Sequence, residues 1–174
     1  MSSTLATRND QLKATLRRAF DEVFVQGKVD AVDEVFTHDI VFHSTARPEG
    51  PTRGREEYKE FVREFLDAFT DVAIDVHDMV AEGDLVVSRA TIRAKHVGTY
   101  HNIPPTKKSV AIFSMIMARA DASGICEEAW SAYDTMGLMQ QLGVLPRKPM
   151  PKPIIWLILK LSRSGKDATP EAVE

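Results

Sequence analysis

The stretch Val72-Ala73-Ile74-Asp75-Val76-His77 decides the fold class, because the hydrophobic period changes there from that of a helix to that of a strand. Valine and isoleucine occupy every second position, which is the spacing of a strand with one buried face. Earlier in the chain, apolar residues recur at intervals of three and four. This spacing predicts an amphipathic helix over about residues 9–26, with the apolar positions Leu12, Leu16, Phe20, Val23 and Phe24.

Helical spacing continues beyond this first helix. A short helix is predicted from near Asp30, and the apolar residues between Tyr58 and Phe69 predict a longer one. A short strand over residues 40–43 and a loop over residues 44–54 separate them, since the loop contains two prolines and two glycines. The predicted helices therefore lie before the change of period.

Strands dominate the second half of the chain. They are predicted over residues 85–95, 110–120 and 125–134, and a closing helical turn is predicted over residues 136–142. Because the helices precede the strands rather than alternate with them, the fold class is α+β. A curved antiparallel sheet wrapped around the N-terminal helices would form a cone with a pocket between sheet and helices.

The composition is that of an ordinary globular protein. The 174 residues carry 25 acidic and 22 basic side chains, a net charge of −3, which disfavours nucleic acid as a partner. The single cysteine, Cys126, excludes a disulfide framework and a multi-cysteine metal site, and no histidine pair has the spacing of a zinc enzyme. Residues 50–54 lack the ending of a phosphate-binding loop. We therefore expect neither a metal nor a cofactor.

Composition divides the chain near Pro146. Residues 1–145 are the predicted barrel domain, and residues 146–174 are a proline-rich linker with a basic, apolar tail. The domain side carries a net charge of −6, whereas Arg147 to Lys166 carry +6. Opposite charges favour docking of the tail on its own domain or on a second subunit, and we expect this rather than contact with a membrane surface.

The two ends of the chain bear on its location. Residues 1–10 lack an apolar segment, so the sequence predicts no secretory signal. The longest apolar run, Ile154 to Leu159, is too short to span a bilayer. We therefore expect a cytoplasmic protein.

The segment between the strands at 85–95 and 110–120 is distinctive. It reads His96-Val97-Gly98-Thr99-Tyr100-His101-Asn102-Ile103-Pro104-Pro105-Thr106. It resembles the His-x-Gly-x-aromatic-x-x-Ile-Pro-Pro-Thr stretch of the SnoaL-like polyketide cyclases, which belong to the nuclear transport factor 2-like superfamily. The resemblance covers about residues 10–145. Three further motifs follow the family's order: Asp39 to His43 with Gly54, Ala81 to Asp84, and Glu128 to Trp130 with Asp134 to Gly143.

The resemblance implies a cone-shaped, cystatin-like α+β barrel that forms a homodimer and holds a small hydrophobic substrate in a cofactor-free pocket. It also implies an aldol cyclisation in which an aspartate on the last strand acts as acid and base. This sequence departs from that pattern, because Ser131 stands at the place of the aspartate, and Ser114 and Ile116 replace a glutamine and a histidine. A serine hydroxyl without an activator is too weak an acid or base to replace a carboxylate.

Three residues are candidate catalytic groups. Asp134 is the candidate base, because a carboxylate beside an apolar strand is desolvated and its pKa rises; the alternative is a cap on the helical turn that follows. His43 is the candidate group that polarises a carbonyl, and the alternative is an anchor for the 44–54 loop. His96 lies on the inward face predicted for its strand, where we favour a structural hydrogen bond to the following loop.

Five residues are candidate substrate contacts. Trp130 either walls an aromatic ligand or packs in the core or an interface, and Glu128 shares its strand face. Tyr100 and Ser131 are candidate hydrogen-bond donors to a developing oxyanion. Ser114 is carried over from the family's pattern as a pocket residue.

These observations lead to one main hypothesis and two alternatives. The main hypothesis is a cofactor-free cyclase or isomerase that acts by acid/base catalysis on an apolar polyketide- or terpenoid-like carbonyl compound. The first alternative is a non-catalytic module of the same fold that binds a ligand or a protein, which Ser131 supports. The second is an epoxide hydrolase or dehydratase, which needs an aspartate–arginine pair in the pocket; Arg89 and Arg93 are instead expected to face solvent or a dimer partner.

Overall fold

A computed structural model describes residues 2–47, 49–148 and 151–162, and for residues 2–7, 157–159 and 161–162 it describes the backbone alone. The part of the predicted tail beyond residue 162 lies outside the described residues. The first helix continues past its α-helical part as a wider π-helical segment, and a 3₁₀ turn precedes the second. The helical segments are α1 (Ser2–Arg18), the π-helical segment (Ala19–Val25), the 3₁₀ turn (Val29–Ala31), α2 (Val32–Val35), α3 (Arg55–Ala68), α4 (Thr135–Leu142) and α5 (Lys152–Ser162).

The strands form one six-stranded sheet in the order β2-β1-β6-β5-β4-β3. Neighbouring strands are antiparallel except β1 and β6, which pair in parallel. The segregation of helices and strands and the curved sheet confirm the predicted α+β fold. The strands are β1 (Phe36–Ser44), β2 (Thr52–Arg53), β3 (Phe69–Glu82), β4 (Leu85–His96), β5 (Ser109–Ala120) and β6 (Cys126–Tyr133).

The hydrophobic core lies between the inner face of the sheet and the helices α1 and α3. On β4 and β5 buried residues alternate with exposed ones, so that Ala90 and Ile112 face inward while Arg89 and Phe113 face outward. Leu12 of α1 is buried in the same cluster as the inward residues of β1 and β6. Strand alternation and helical spacing thus bring both apolar faces together, as the sequence pattern predicts.

Helix α5 follows the barrel and differs from the other helices in its surroundings. Its apolar residues Ile154, Ile155 and Trp156 are exposed to solvent. None of the described helices is long and apolar enough to cross a membrane. The division of the chain into a barrel to residue 145 and a tail stays a prediction.

Candidate functional site

A cavity of about 120 Å³ lies inside the cone, between the inner face of the sheet and the helices α1 and α3. Its walls are mostly apolar, because inward strand positions and the apolar faces of both helices supply them. An engineered apolar cavity of about 150 Å³ binds benzene, so this volume suits a small hydrophobic molecule or part of a larger one. Representative wall residues are Leu12, Phe20, Phe61, Phe65, Ile92 and Ile116.

Two tyrosine hydroxyls meet at the cavity wall. The Tyr100 and Tyr133 oxygens are 2.9 Å apart and share a hydrogen bond, and both residues line the cavity. Burial raises the pKa of both phenols, so both carry their protons at neutral pH. The pair has two hydroxyl protons and uses one between its members. The second proton is therefore available to a ligand oxygen, and the shared bond polarises it.

Two serines on the sheet add hydroxyl groups to the cavity. Ser114 on β5 is 1% exposed, and its hydroxyl has no hydrogen-bond partner among the described residues. It lies opposite Tyr133 in the β5–β6 register, so the two side chains share the inner face. Ser131 also lines the cavity. The position where the family's aspartate is expected thus faces the cavity, but it carries a serine.

The charged residues that line the cavity are Arg47 and Glu64, and they form an ion pair with 3.0 Å between Nη2 and Oε2. Glu64 exposes 69% of its side chain, which places its carboxylate at the mouth of the cavity. Arg47 also reaches Glu57, at 3.5 Å, and its guanidinium lies over the Phe61 ring. The exposed His101 borders the same cavity. The mouth is therefore polar, whereas the interior is apolar.

Asp134 lies outside the cavity lining. Its carboxylate accepts a hydrogen bond from the backbone N–H of Gly137, at 2.8 Å, at the start of α4. This is the geometry of an N-cap, the alternative role considered for this residue. The next residue toward the N-terminus, Tyr133, faces the cavity instead.

His43, Glu128 and Trp130 come together, but not at the cavity. The His43 Nε2 lies 3.1 Å from a Glu128 oxygen, and the His43 ring stacks on Trp130 at 5.4 Å between centroids. Arg119 binds the second Glu128 oxygen at 2.9 Å and lies over the same indole. Because Phe42, Ala129 and Ser131 line the cavity, their strand neighbours point to the outer face of the sheet.

His96 is fully buried, and it binds the loop that follows its strand. Its Nδ1 accepts a hydrogen bond from the backbone N–H of Thr106 at 3.2 Å, and the Thr106 hydroxyl lies 3.1 Å away. This geometry puts the imidazole proton on Nε2, which has no partner among the described residues. Burial lowers the pKa of His96, so the ring is neutral at neutral pH. These contacts join His96 to the connection between β4 and β5.

Burial of a neutral His96 makes stability depend on pH. The pKa of His96 is below its ordinary value of 6.5 in the folded state, so the unfolded chain binds a proton that the folded chain does not. The free energy of unfolding should fall as pH drops below about 6.5, by at most about 1.4 kcal/mol per unit, until the lowered pKa is passed. Urea titrations at several pH values give the slope of the free energy of unfolding against pH. In His96→Asn this slope should lack the contribution of the histidine.

A matched control is His77→Asn, because His77 lies exposed on β3. Asparagine at position 96 offers an oxygen near the place of Nδ1, so the bond from Thr106 can persist. An unchanged slope in His96→Asn, or an equal change in His77→Asn, would show that His96 does not carry the effect.

Some residues of the site had no clear signal in the sequence. Arg47 lies in a loop, and the exposed His101 lies in the connection between β4 and β5. Glu64 follows Phe61 by three residues on α3 and therefore shares its helix face. That spacing is the one signal that could have identified it. Among the described residues, no group of three histidine, cysteine or acidic side chains is placed to hold a metal ion.

An apolar cavity, with hydroxyls inside and charges at its mouth, thus lies in an α+β cone of the nuclear transport factor 2-like class. The profile of the SnoaL-like polyketide cyclases matches residues 14–142. The chain therefore belongs to the family of SnoaL-like polyketide cyclases, which confirms the resemblance seen in the sequence. Among curated proteins, no sequence is similar enough to be matched.

Solved structures show the same fold. A SnoaL-like protein from Jannaschia sp. CCS1, assigned as a polyketide cyclase, has 21% identity and a TM-score of 0.72 over 79% of this chain and 95% of its own. IdmH from Streptomyces antibioticus, also assigned as a polyketide cyclase, has 27% identity and a TM-score of 0.66 over 76% and 99%. AclR from Streptomyces galilaeus, assigned as a hydroxylase, has 24% identity and a TM-score of 0.68 over 92% and 94%.

Proposed function

We propose that this protein binds a small apolar carbonyl compound in its cavity and promotes a cofactor-free cyclisation or isomerisation through an enolate. The observation that carries the proposal is the group of hydroxyls inside an otherwise apolar cavity. The Tyr100–Tyr133 pair has a proton to donate, and the buried Ser114 hydroxyl has no hydrogen-bond partner in the described part of the chain. A buried hydroxyl without a partner costs about 1–3 kcal/mol, so a ligand oxygen at this place would be stabilised.

The proposed reaction depends on stabilising the negative charge that develops on the carbonyl oxygen. Removal of a proton from the carbon next to a carbonyl moves an electron pair onto the carbonyl oxygen. The free hydroxyl proton of the tyrosine pair and the Ser114 hydroxyl would then donate to that oxygen. In a cyclisation, the enolate carbon forms a bond to a second carbonyl carbon of the same molecule. The resulting alkoxide takes back the proton held by the base.

Glu64 is the proposed base, in place of Asp134. Its carboxylate borders the cavity that Tyr100 and Tyr133 also line. Arg47 holds the carboxylate through their ion pair. The carboxylate of Asp134 is instead bound to the start of α4. His43 and Asp134 therefore have no part in this mechanism.

A second candidate function is ligand binding without chemistry. It is favoured by Ser131 and Ser114, since no carboxylate of the described residues lies in the interior of the cavity. The epoxide hydrolase or dehydratase alternative loses its support, because Arg89 and Arg93 lie on the outer face. There they pair with Asp78 and Asp75, each at 2.7 Å.

Exchange of hydrogen for deuterium next to a ketone tests the proposal without knowledge of the natural substrate. Cyclohexanone and 2-tetralone serve as probes in deuterated buffer. Proton NMR follows the loss of the signal from the hydrogens next to the carbonyl group. We expect exchange faster than in buffer alone, and a loss of about a hundredfold in Glu64→Gln, since a general base contributes about 10²–10⁴ in rate.

Glu57→Gln is the matched control, because Glu57 also pairs with Arg47 but does not line the cavity. It should keep the wild-type rate. Exchange at the buffer rate, with the ketones still raising the melting temperature, would support the binding function over the enzyme. If the ketones produce neither effect, the carbonyl-binding proposal is wrong.

We also propose a homodimer formed through the outer face of the sheet. Phe113 and Met115 of β5 are 47% and 44% exposed there, and ion pairs place both signs of charge beside them. A patch with both signs can pair with a second copy of itself across a twofold axis. These ion pairs are Arg89–Asp78 and Arg93–Asp75.

A charge in the centre of this face should prevent association. In sedimentation velocity, Met115→Glu is expected to sediment as a monomer while the wild type sediments as a dimer. Val25→Glu is the control, because Val25 is similarly exposed, at 42%, on the helical side of the cone. A monomeric wild type, or a dimer that survives Met115→Glu, would show that this face is not the interface.

A further inference from the structure

The described part of the segment after the barrel presents exposed apolar and basic side chains together. Trp156 of α5 is 66% exposed, and Ile154 and Ile155 are 47% and 40% exposed. Val144 and Leu145, just after α4, are exposed as well. We call this set, with its four exposed basic neighbours, the tail patch. Its members are Val144, Leu145, Ile154, Ile155, Trp156, Arg147, Lys148, Lys152 and Lys160.

The three exposed side chains lie next to one another on α5, and the described part of the barrel covers none of them. Burying such side chains is worth about 1.5–3 kcal/mol each, so their exposure leaves a strong tendency to bind an apolar environment.

The positions of the exposed apolar residues around the axis of α5 indicate what kind of apolar environment the helix would bind. Consecutive helical residues are about 100° apart, so Ile154, Ile155 and Trp156 together cover about 200° of the helix circumference. A groove on a protein surface covers one face of a helix. Lipid chains and headgroups can surround more than half of the helix circumference, which matches the arc that these three residues cover.

The charge of the segment points to the same environment. No acidic residue occurs between Thr135 and Lys166, whereas every charged residue there is basic. The Lys160 ammonium lies over the Trp156 ring, 5.3 Å from its centroid. A tryptophan beside a lysine suits the boundary between headgroups and acyl chains, because each has an apolar body and a polar end. Basic residues near that boundary attract anionic lipids.

We propose that the tail patch binds the surface of an anionic lipid bilayer, with α5 lying in the interface plane. The eleven residues of α5 extend about 16 Å, roughly half of the apolar thickness of a bilayer, so the helix lies on the membrane rather than across it. The barrel and its cavity stay on the water side. This inference does not depend on the proposed function, since it concerns residues outside the cavity.

The chain has two tryptophans, Trp130 and Trp156, which gives a direct optical test. In Trp130→Phe the remaining indole is the one on α5. Adding vesicles of phosphatidylcholine with phosphatidylglycerol should shift its emission to shorter wavelength, whereas vesicles of phosphatidylcholine alone should not. In Trp156→Phe the remaining indole lies on the barrel, and its emission should not shift.

Sedimentation with the same vesicles tests the whole chain. Trp156→Ser should weaken partition by about tenfold or more, because it removes a large apolar side chain. Lys152→Gln with Lys160→Gln should weaken it by roughly 25-fold, at about fivefold per lysine. Circular dichroism of each variant checks that the barrel is folded.

Three outcomes would overturn the inference. They are no binding to either kind of vesicle, equal binding to both kinds, and unchanged binding in the Trp156→Ser variant. If the wild type self-associates without vesicles and Trp156→Ser abolishes that association, the tail patch binds a second copy of the chain instead of lipid.

Discussion

Replacing Gly98 by alanine should lower the free energy of unfolding by about 3 kcal/mol, which is the upper end of the usual cost of overpacking. An added Cβ would collide with the carbonyl oxygen of Asp67 and would lie 2.9 Å from its carbon and 3.1 Å from the Cα of Ala68. These are backbone atoms, so no side chain can rotate away. The N–H groups of Val97 and Gly98 both donate to the Ala68 carbonyl, which fixes the two segments together.

Urea denaturation would measure the loss, and Gly83→Ala separates sterics from backbone strain. Gly83 has a φ of 65° but nothing within 4 Å of an added Cβ, so its substitution costs only about 1–2 kcal/mol. Equal losses in the two variants would contradict the steric explanation. The result matters for the site, because Gly98 begins the connection that carries Tyr100 to the cavity.

The double variant Tyr100→Phe, Tyr133→Phe should lose about 100- to 1,000-fold in the rate of ketone exchange, the usual effect of removing an oxyanion donor. A single substitution would leave the other phenol with its own proton to donate. Removing both removes the shared hydrogen bond together with both groups, which is nearly neutral for stability. The expected result is therefore an active-site loss at a nearly unchanged melting temperature.

Tyr58→Phe is the comparison, because Tyr58 lines the same cavity but lies outside the hydrogen-bonded pair. Its exchange rate should stay within about twofold of the wild type, since its hydroxyl is not among the proposed donors. The role of the tyrosine pair is refuted if the double variant keeps its rate, or if Tyr58→Phe loses as much.

The fold could be predicted because its elements carry strong periodic signals. The alternation that begins at Val72 and the helical spacing around Phe20 both come from burial of one face, and burial does not depend on distant details. The strand at 40–43 was predicted too short, since β1 spans Phe36–Ser44. Its polar Thr37, His38 and Asp39 interrupt the apolar alternation there.

The site was harder to predict, because its members meet only in three dimensions. Both faces of β6 carry apolar residues, so the sequence could not decide whether Trp130 or Tyr133 faces the cavity. The structure places Tyr133 inward and Trp130 outward. Asp134 follows the strand and is bound by the start of α4. Glu64 joins the cavity through the position of α3 against the sheet, which no local pattern encodes.

The parallel pairing of β1 with β6 has a consequence for how the chain is made. His43 and Glu128, which meet across these strands, are 85 residues apart in sequence. At the usual 5–20 residues per second, the ribosome adds the last strand about 4–17 s after the first. During that interval β1 has an unpaired edge, and closing so long a loop is slow. The nascent domain is therefore exposed to aggregation at the free edge of β1 until β6 pairs with it.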